Sequence, residues 1–108
     1  MISYKDFAKL EITIGEIVEV EIVENADKLL KLRVQFGKGE ERQVISGIRE
    51  YYSEPQDLVG LKCPFLTNLE SRTIRGYESQ AMILAASTED SFSLLSPNQD
   101  IVAGARII

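Results

Sequence analysis

The sequence predicts an all-β fold: five strands forming a small Greek-key barrel, a short helix between the third and fourth strands, and a C-terminal extension. Three observations support this reading. Apolar and polar residues alternate with period two through "LEITIGEIVEVEIV" and again through "LLKLRVQFG", as they do in strands with one buried and one wet face. The turn "GKGEE" connects the second run to "RQVISGI", so strands two and three form a hairpin. The 108 residues, 44% of them hydrophobic, suffice for one modest core and not for two.

The chain opens with a helical turn over Tyr4 to Lys9 capped by Ser3, whose hydroxyl suits the free amides of a helix start. In the first strand, Ile12, Ile14, Ile17, Val18, Val20 and Ile22 supply the apolar positions, and the alternation changes phase near Gly15, where a bulge or sharp bend is expected. Leu30, Leu32, Val34 and Phe36 form the inward face of the second strand, leaving Lys31 and Arg33 outward. The segment "YYSEPQDLVG" breaks the pattern, and Ser53 as cap, Pro55 in the first turn and Gly60 as terminator predict the short helix. "LKCPFLTNL" is strand four, "SRTIRGYESQ" a polar loop and "AMILAAS" strand five. This order is that of an OB-fold, whose second and third strands form a face used for oligonucleotides and oligosaccharides. The barrel core spans about residues 6–86, and residues 87–108 form the extension.

Composition excludes several kinds of chemistry. Without histidine there is no Ser/His or Cys/His nucleophile pair and no zinc cluster, and the single Cys63, inside "LKCPFL", reads as a small buried hydrophobe. The seven glycines are scattered, so no phosphate-cradling loop motif occurs. No catalytic residues, cofactor or metal are therefore expected. No run approaches the roughly 18 apolar residues of a membrane span, and the charged opening "MISYKDFAKLE" is unlike a signal peptide, so a soluble cytoplasmic protein is expected.

Charge is distributed unevenly. Against a net charge of -5, the stretch Lys28 to Arg49 holds six cations (Lys28, Lys31, Arg33, Lys38, Arg42, Arg49) and only two acids, Glu40 and Glu41. A second cluster joins Lys62, Arg72 and Arg75 against Glu70. An acidic whole argues against indiscriminate nucleic-acid binding but is compatible with a local anion site. By itself a basic hairpin is more often a solvated face than a binding site, because outward strand positions must be polar in either case.

The ordered series "DFAKLEITIGEIVEVEIVENADKLLKLRVQFG", "RQVISGIREYY", "LVGLK" and "NLESRTIRGYESQAMILAA" resembles the tRNA-binding OB-fold domain family, found as free-standing tRNA-binding proteins and as the C-terminal domain or beta subunit of methionyl-tRNA synthetases. The resemblance runs from Asp6 to about Ala86 and continues weakly to "AGARI". It implies a non-catalytic module that recognises tRNA by shape and phosphate contacts, alone or as a partner of a methionyl-tRNA synthetase catalytic subunit. By position it assigns tRNA binding to Lys28, Lys31, Arg33, Arg42, Ser46, Asn68, Arg72, Arg75, Ser79 and Met82. The cations would hold phosphates, Asn68 and Ser79 would bond a 2′-OH or base edge, and Met82 would pack on an unstacked base or on the core. Glu70, Ser71 and Ala81 depart from the family pattern and are expected to weaken or alter affinity. The resemblance also implies a homodimer joined through the C-terminal region, in keeping with the surplus apolar residues Phe92, Leu94, Leu95, Ile101, Val102, Ile107 and Ile108. Two other functions stay open: a peptide-binding, secretion-type chaperone of the same fold, and a dimerisation domain with a decayed tRNA site.

Overall fold

The structure, a computed structural model, describes residues Met1–Ile108. Helix α1 (Tyr4–Ala8) begins in a reciprocal cap: the Ser3 hydroxyl accepts from the Asp6 amide, and the Asp6 carboxylate accepts from the Ser3 amide. Strand β1 (Ile12–Ile22) is the organising element. Its C-terminal half pairs antiparallel with β2 (Leu30–Gln35), its N-terminal half with β4 (Lys62–Leu66). With β3 (Glu41–Ser46) and β7 (Met82–Ile83) these form one five-stranded sheet in the order β3-β2-β1-β4-β7, the nearly closed barrel of an OB-fold.

The alternation in β2 places Leu30, Leu32 and Val34 fully inside, where they meet Ile17, Val44, Leu58, Cys63 and Phe65. The phase change in β1 has two separate causes. The bulge lies between Ile17 and Glu19 rather than at Gly15, so Val18 is the extra residue and Ile17 and Val20 both face the core. Gly15 is required for a different reason. A Cβ there would lie 2.5 Å from Val34 Cγ1 and 2.7 Å from the Phe36 ring, so the strand crosses the core where no side chain fits. The expected helix between strands three and four is instead two 3-10 turns, Arg49–Tyr51 and Pro55–Leu58. Glu54 rather than Ser53 precedes Pro55, without a side-chain cap, and Gly60 follows too soon for α-helical turns to propagate.

The segment expected as a polar loop is a second correction. It forms a hairpin of β5 (Arg72–Ile74) and β6 (Tyr77–Ser79), joined by Arg75 and Gly76 with φ of +53° and +84°. Positive φ at both central residues is the type I′ geometry that matches strand twist. The expected fifth strand is likewise divided, into β7 and β8 (Ala85–Ser87), with β8 pairing to β9 (Phe92–Leu94).

Residues beyond β8 pack back on the barrel. Phe92 stacks on Tyr51 at 4.1 Å between ring centres, and Leu94 packs against the core. Further on, Gly104 donates to the Ile14 carbonyl, Ala105 accepts from the Ile14 amide and Ile107 donates to the Ile12 carbonyl, each at 2.8 to 2.9 Å. The C-terminus thus takes the edge of β1 that β2 does not reach. An apolar pocket of about 240 Å³ remains there, lined by Ile14, Pro64, Leu95, Pro97, Ile101 and Ile107 among others.

Candidate nucleic-acid interface

The ten residues assigned from the sequence separate into three groups. The first closes the barrel. Ser79 is buried; its hydroxyl accepts from the Ile45 amide at 3.0 Å and reaches the Ala81 carbonyl at 3.1 Å. Gln80 completes this seam, its amide donating to the Gln43 carbonyl and its side chain accepting from the Gln43 amide. Arg42 donates to the carbonyls of Thr67 and Gln80, pairs with Glu40 at 2.7 Å and lies over the Phe36 ring. Asn68 joins the end of α1 to β1, donating to the Lys9 carbonyl and accepting from the Glu11 amide.

The second group is the outward pair on β2. Cross-strand register sets Glu19 beside Arg33 and Glu21 beside Lys31. Lys31 Nζ lies 2.9 Å from Glu21, and Arg33 is held between Glu19 at 3.1 Å and Glu41 at 2.7 Å. These contacts hold the Glu21 carboxyl below its usual range and push the Lys31 and Arg33 pKa values up. With Arg42 and Glu40, three cations on this face meet four carboxylates. The surface that composition marks as basic is electrostatically balanced.

The third group lies at the loop end of the barrel, on connections and the ends of short strands. Lys28, Arg72 and Arg75 form no ion pair. Lys28 lies between β1 and β2 and Arg75 at the tip of the β5–β6 hairpin, and together they line an open groove of about 420 Å³ with Asn25, Asp27 and Ile74. Ile74 also lines a narrower cleft containing Ser46, Glu70, Arg72 and the exposed Met82. Lys28, Ser46, Arg72, Arg75 and Met82 therefore share one continuous region at the barrel's loop end. Ala81 is buried beneath the narrower cleft as part of the core. Sequence reading missed the carboxylates of β1 and Tyr77, whose ring lies 4.8 Å from Lys31 Nζ. Cross-strand alternation carried the signal for the former, since Glu19 and Glu21 occupy the same outward phase as Arg33 and Lys31.

Cys63 is fully buried, and burial pushes its thiol pKa up to about 11, so it is an inert core residue. No group of three or more His, Cys, Asp or Glu side chains is arranged to hold a metal ion, and no helix is long and apolar enough to cross a membrane.

Fold and site together define a single-barrel binding module with unpaired cations at its loop end. The family pattern described as "Putative tRNA binding domain" matches residues 12–106, and the chain belongs to that family, a binding domain and not a catalytic one. The methionine–tRNA ligase of Deinococcus radiodurans is 46% identical over 108 residues, covering 99% of this chain and 16% of that enzyme. That of Caldanaerobacter subterraneus is 42% identical over 106 residues, covering 98% and 16%. The chain thus spans 16% of the length of these relatives. Among solved structures, a MetRS-related protein from Pyrococcus horikoshii superposes with a TM-score of 0.92 at 33% identity, covering 100% of this chain and 98% of that one. The chaperone CsaA from Bacillus anthracis gives 0.89 at 26%, covering 100% and 99%.

Proposed function

We propose that this chain acts as a non-catalytic module that holds tRNA by its shape and its phosphates, working alone or beside a methionyl-tRNA synthetase catalytic subunit. The observation that carries this reading is the set of unpaired cations at the loop end, Lys28 and Arg75 on one groove and Arg72 in the cleft beside it. Phosphate contacts of this kind position an RNA without reading its sequence. Ser46 and the exposed Met82 beside them offer a hydroxyl and an apolar surface to an unstacked nucleotide. Tethered to or associated with a synthetase, such a module raises the local tRNA concentration at the catalytic site. The test is titration with total tRNA of the parent and of an Arg72→Ala/Arg75→Ala variant. The reading expects weaker binding with unchanged melting, and equal binding by the variant contradicts it.

The proposed assembly is a homodimer. Phe92 and Leu94 are spent on the chain's own barrel, which leaves Leu95, Ile101, Val102, Ile107 and Ile108 as the exposed apolar surface available for pairing. Light scattering should give twice the 12.1 kDa chain mass; a monomer at micromolar concentration contradicts the dimer.

A second reading, capture of unfolded polypeptide, is favoured by the apolar pocket around Ile14 and Pro64 and by similarity to the chaperone CsaA. It predicts salt-insensitive binding of a reduced, unfolded test protein in competition with no tRNA.

A further inference from the structure

The face that an OB-fold offers to oligonucleotides is here neutralised by the chain's own carboxylates. We propose that Glu19, Glu21 and Glu41 are selectivity residues: by pairing with Lys31 and Arg33 they withhold the β1–β3 face from polyanions and leave phosphate recognition to Lys28, Arg72 and Arg75 at the loop end. The inference rests on the tRNA-binding reading and deepens it.

The arrangement is built into the register. Glu19 and Glu21 stand directly across from Arg33 and Lys31, while Glu41 reaches Arg33 from the far side, two positions along β3 from the residue paired with it. Arg33 is therefore bracketed, with one guanidinium nitrogen 2.7 Å from Glu41 and another 3.1 Å from Glu19. Lys31 is fixed by Glu21 at 2.9 Å, and its ammonium also lies 4.8 Å from the Tyr77 ring. All five charged groups line one shallow groove of about 300 Å³ with Arg42 and Gln43.

Affinity of cations for a nucleic acid comes largely from the counterions released when a phosphate is neutralised. A lysine already facing a carboxylate releases little, and an approaching phosphate must first displace that carboxylate against its own like charge. Half-exposed pairs contribute little to stability, so their consequence here is electrostatic more than structural. An unscreened cationic strand face would take up any flexible single strand. The screened face offers such a ligand little, whereas an RNA shaped to reach the loop end meets Lys28, Arg72 and Arg75 unpaired.

The test is the triple variant Glu19→Gln/Glu21→Gln/Glu41→Gln, which preserves side-chain size, titrated with poly(U) and with total tRNA over a range of salt. Poly(U) affinity should rise about tenfold at low salt, and the slope of log K against log salt should steepen by about 1.4, two cations at about 0.7 each. The preference for tRNA should narrow accordingly. A charge-matched control, Glu54→Gln/Glu89→Gln/Asp90→Asn, removes three exposed, unpaired acids and should change poly(U) binding by less than half as much in log K. Deleting the whole cluster by adding Lys31→Gln and Arg33→Gln to the triple variant should abolish the gain and return tRNA affinity to within about threefold of the parent. The proposal is overturned if the control matches the triple variant, if the triple variant gains no poly(U) affinity, or if cluster deletion weakens tRNA binding tenfold or more. Should the triple variant fail to fold, the cluster deletion decides. A parent that binds no tRNA would overturn the functional reading, while the poly(U) comparison would still decide the screen.

Discussion

In the proposed function Arg75 couples stability and binding in opposite directions. It occupies the first central position of the β5–β6 turn at φ +53°, a left-handed conformation that a side chain with a Cβ adopts at a cost of about 1 kcal/mol. Asparagine adopts this geometry far more readily than arginine. Arg75→Asn should therefore stabilise the domain by about 0.5–1 kcal/mol, since Arg75 forms no ion pair or side-chain hydrogen bond whose loss would offset the gain, and Gly76 at φ +84° already completes the turn. For a domain of this size that corresponds to a rise of roughly 2–4 °C in melting midpoint. The same change removes one of the two free cations that line the groove, leaving Lys28. The salt slope for tRNA should become shallower by about 0.7–0.9, and affinity at low salt should fall about fivefold, or about 1 kcal/mol. Calorimetry and fluorescence titration on the same protein preparation read both effects. A lower melting midpoint would refute the strain argument, and an unchanged salt slope would refute the placement of Arg75 against phosphate.

Other perturbations address the barrel. Gly15→Ala places a methyl group 2.5 Å from Val34 Cγ1, with the Phe36 and Phe65 rings behind it, and should cost at least about 2 kcal/mol in urea unfolding, despite the usual preference for alanine over glycine in a strand. Ser79→Ala leaves the buried Ile45 amide without its partner and should cost about 1–3 kcal/mol, with hydrogen exchange at Ile45 rising more than at Val44. For Cys63 the folded-state pKa of about 11 lies above its ordinary value of 9.0. The thiol stays neutral in the fold while the unfolded chain ionises, so its contribution is fully present below pH 9 and is lost as pH rises towards 11, at about 1.4 kcal/mol per pH unit. Cys63→Ala should be less stable at neutral pH but lose stability less steeply across that window; parallel pH profiles would contradict the assignment.

Much of the barrel was legible because one strong regularity dictated it. The alternation through Leu30, Leu32, Val34 and Phe36 admits a single inward face, and the whole set is buried. β1 was harder to read because two effects overlap. Gly15 and the Ile17–Val18 pair lie close together in sequence, and an apolar doublet does not reveal which residue is extra until the partner register is known. The β5–β6 hairpin was missed because its strands are three residues each and mostly exposed, so no apolar period marks them; its signal was the two-residue Arg75–Gly76 turn. Part of the surplus of C-terminal hydrophobes is used within the chain: Phe92 and Leu94 pack on the core, and residues 101–107 cover Ile14, which faces away from the barrel interior. The candidate site was legible as a set of cations and not as a potential. Position in sequence identifies Arg33 and Lys31, whereas their neutralisation depends on Glu19 and Glu21, brought opposite them by an antiparallel ladder with a bulge in it.

In the proposed function, a few unpaired cations at the loop end of an acidic domain hold tRNA electrostatically. The most direct test of this is the equilibrium affinity of the intact chain for total tRNA measured from low to moderate salt. Three phosphate contacts by Lys28, Arg72 and Arg75 predict a straight line of log K against log salt with a slope of roughly -2 to -3. Affinity that does not change with salt, or no binding at low salt, would contradict it.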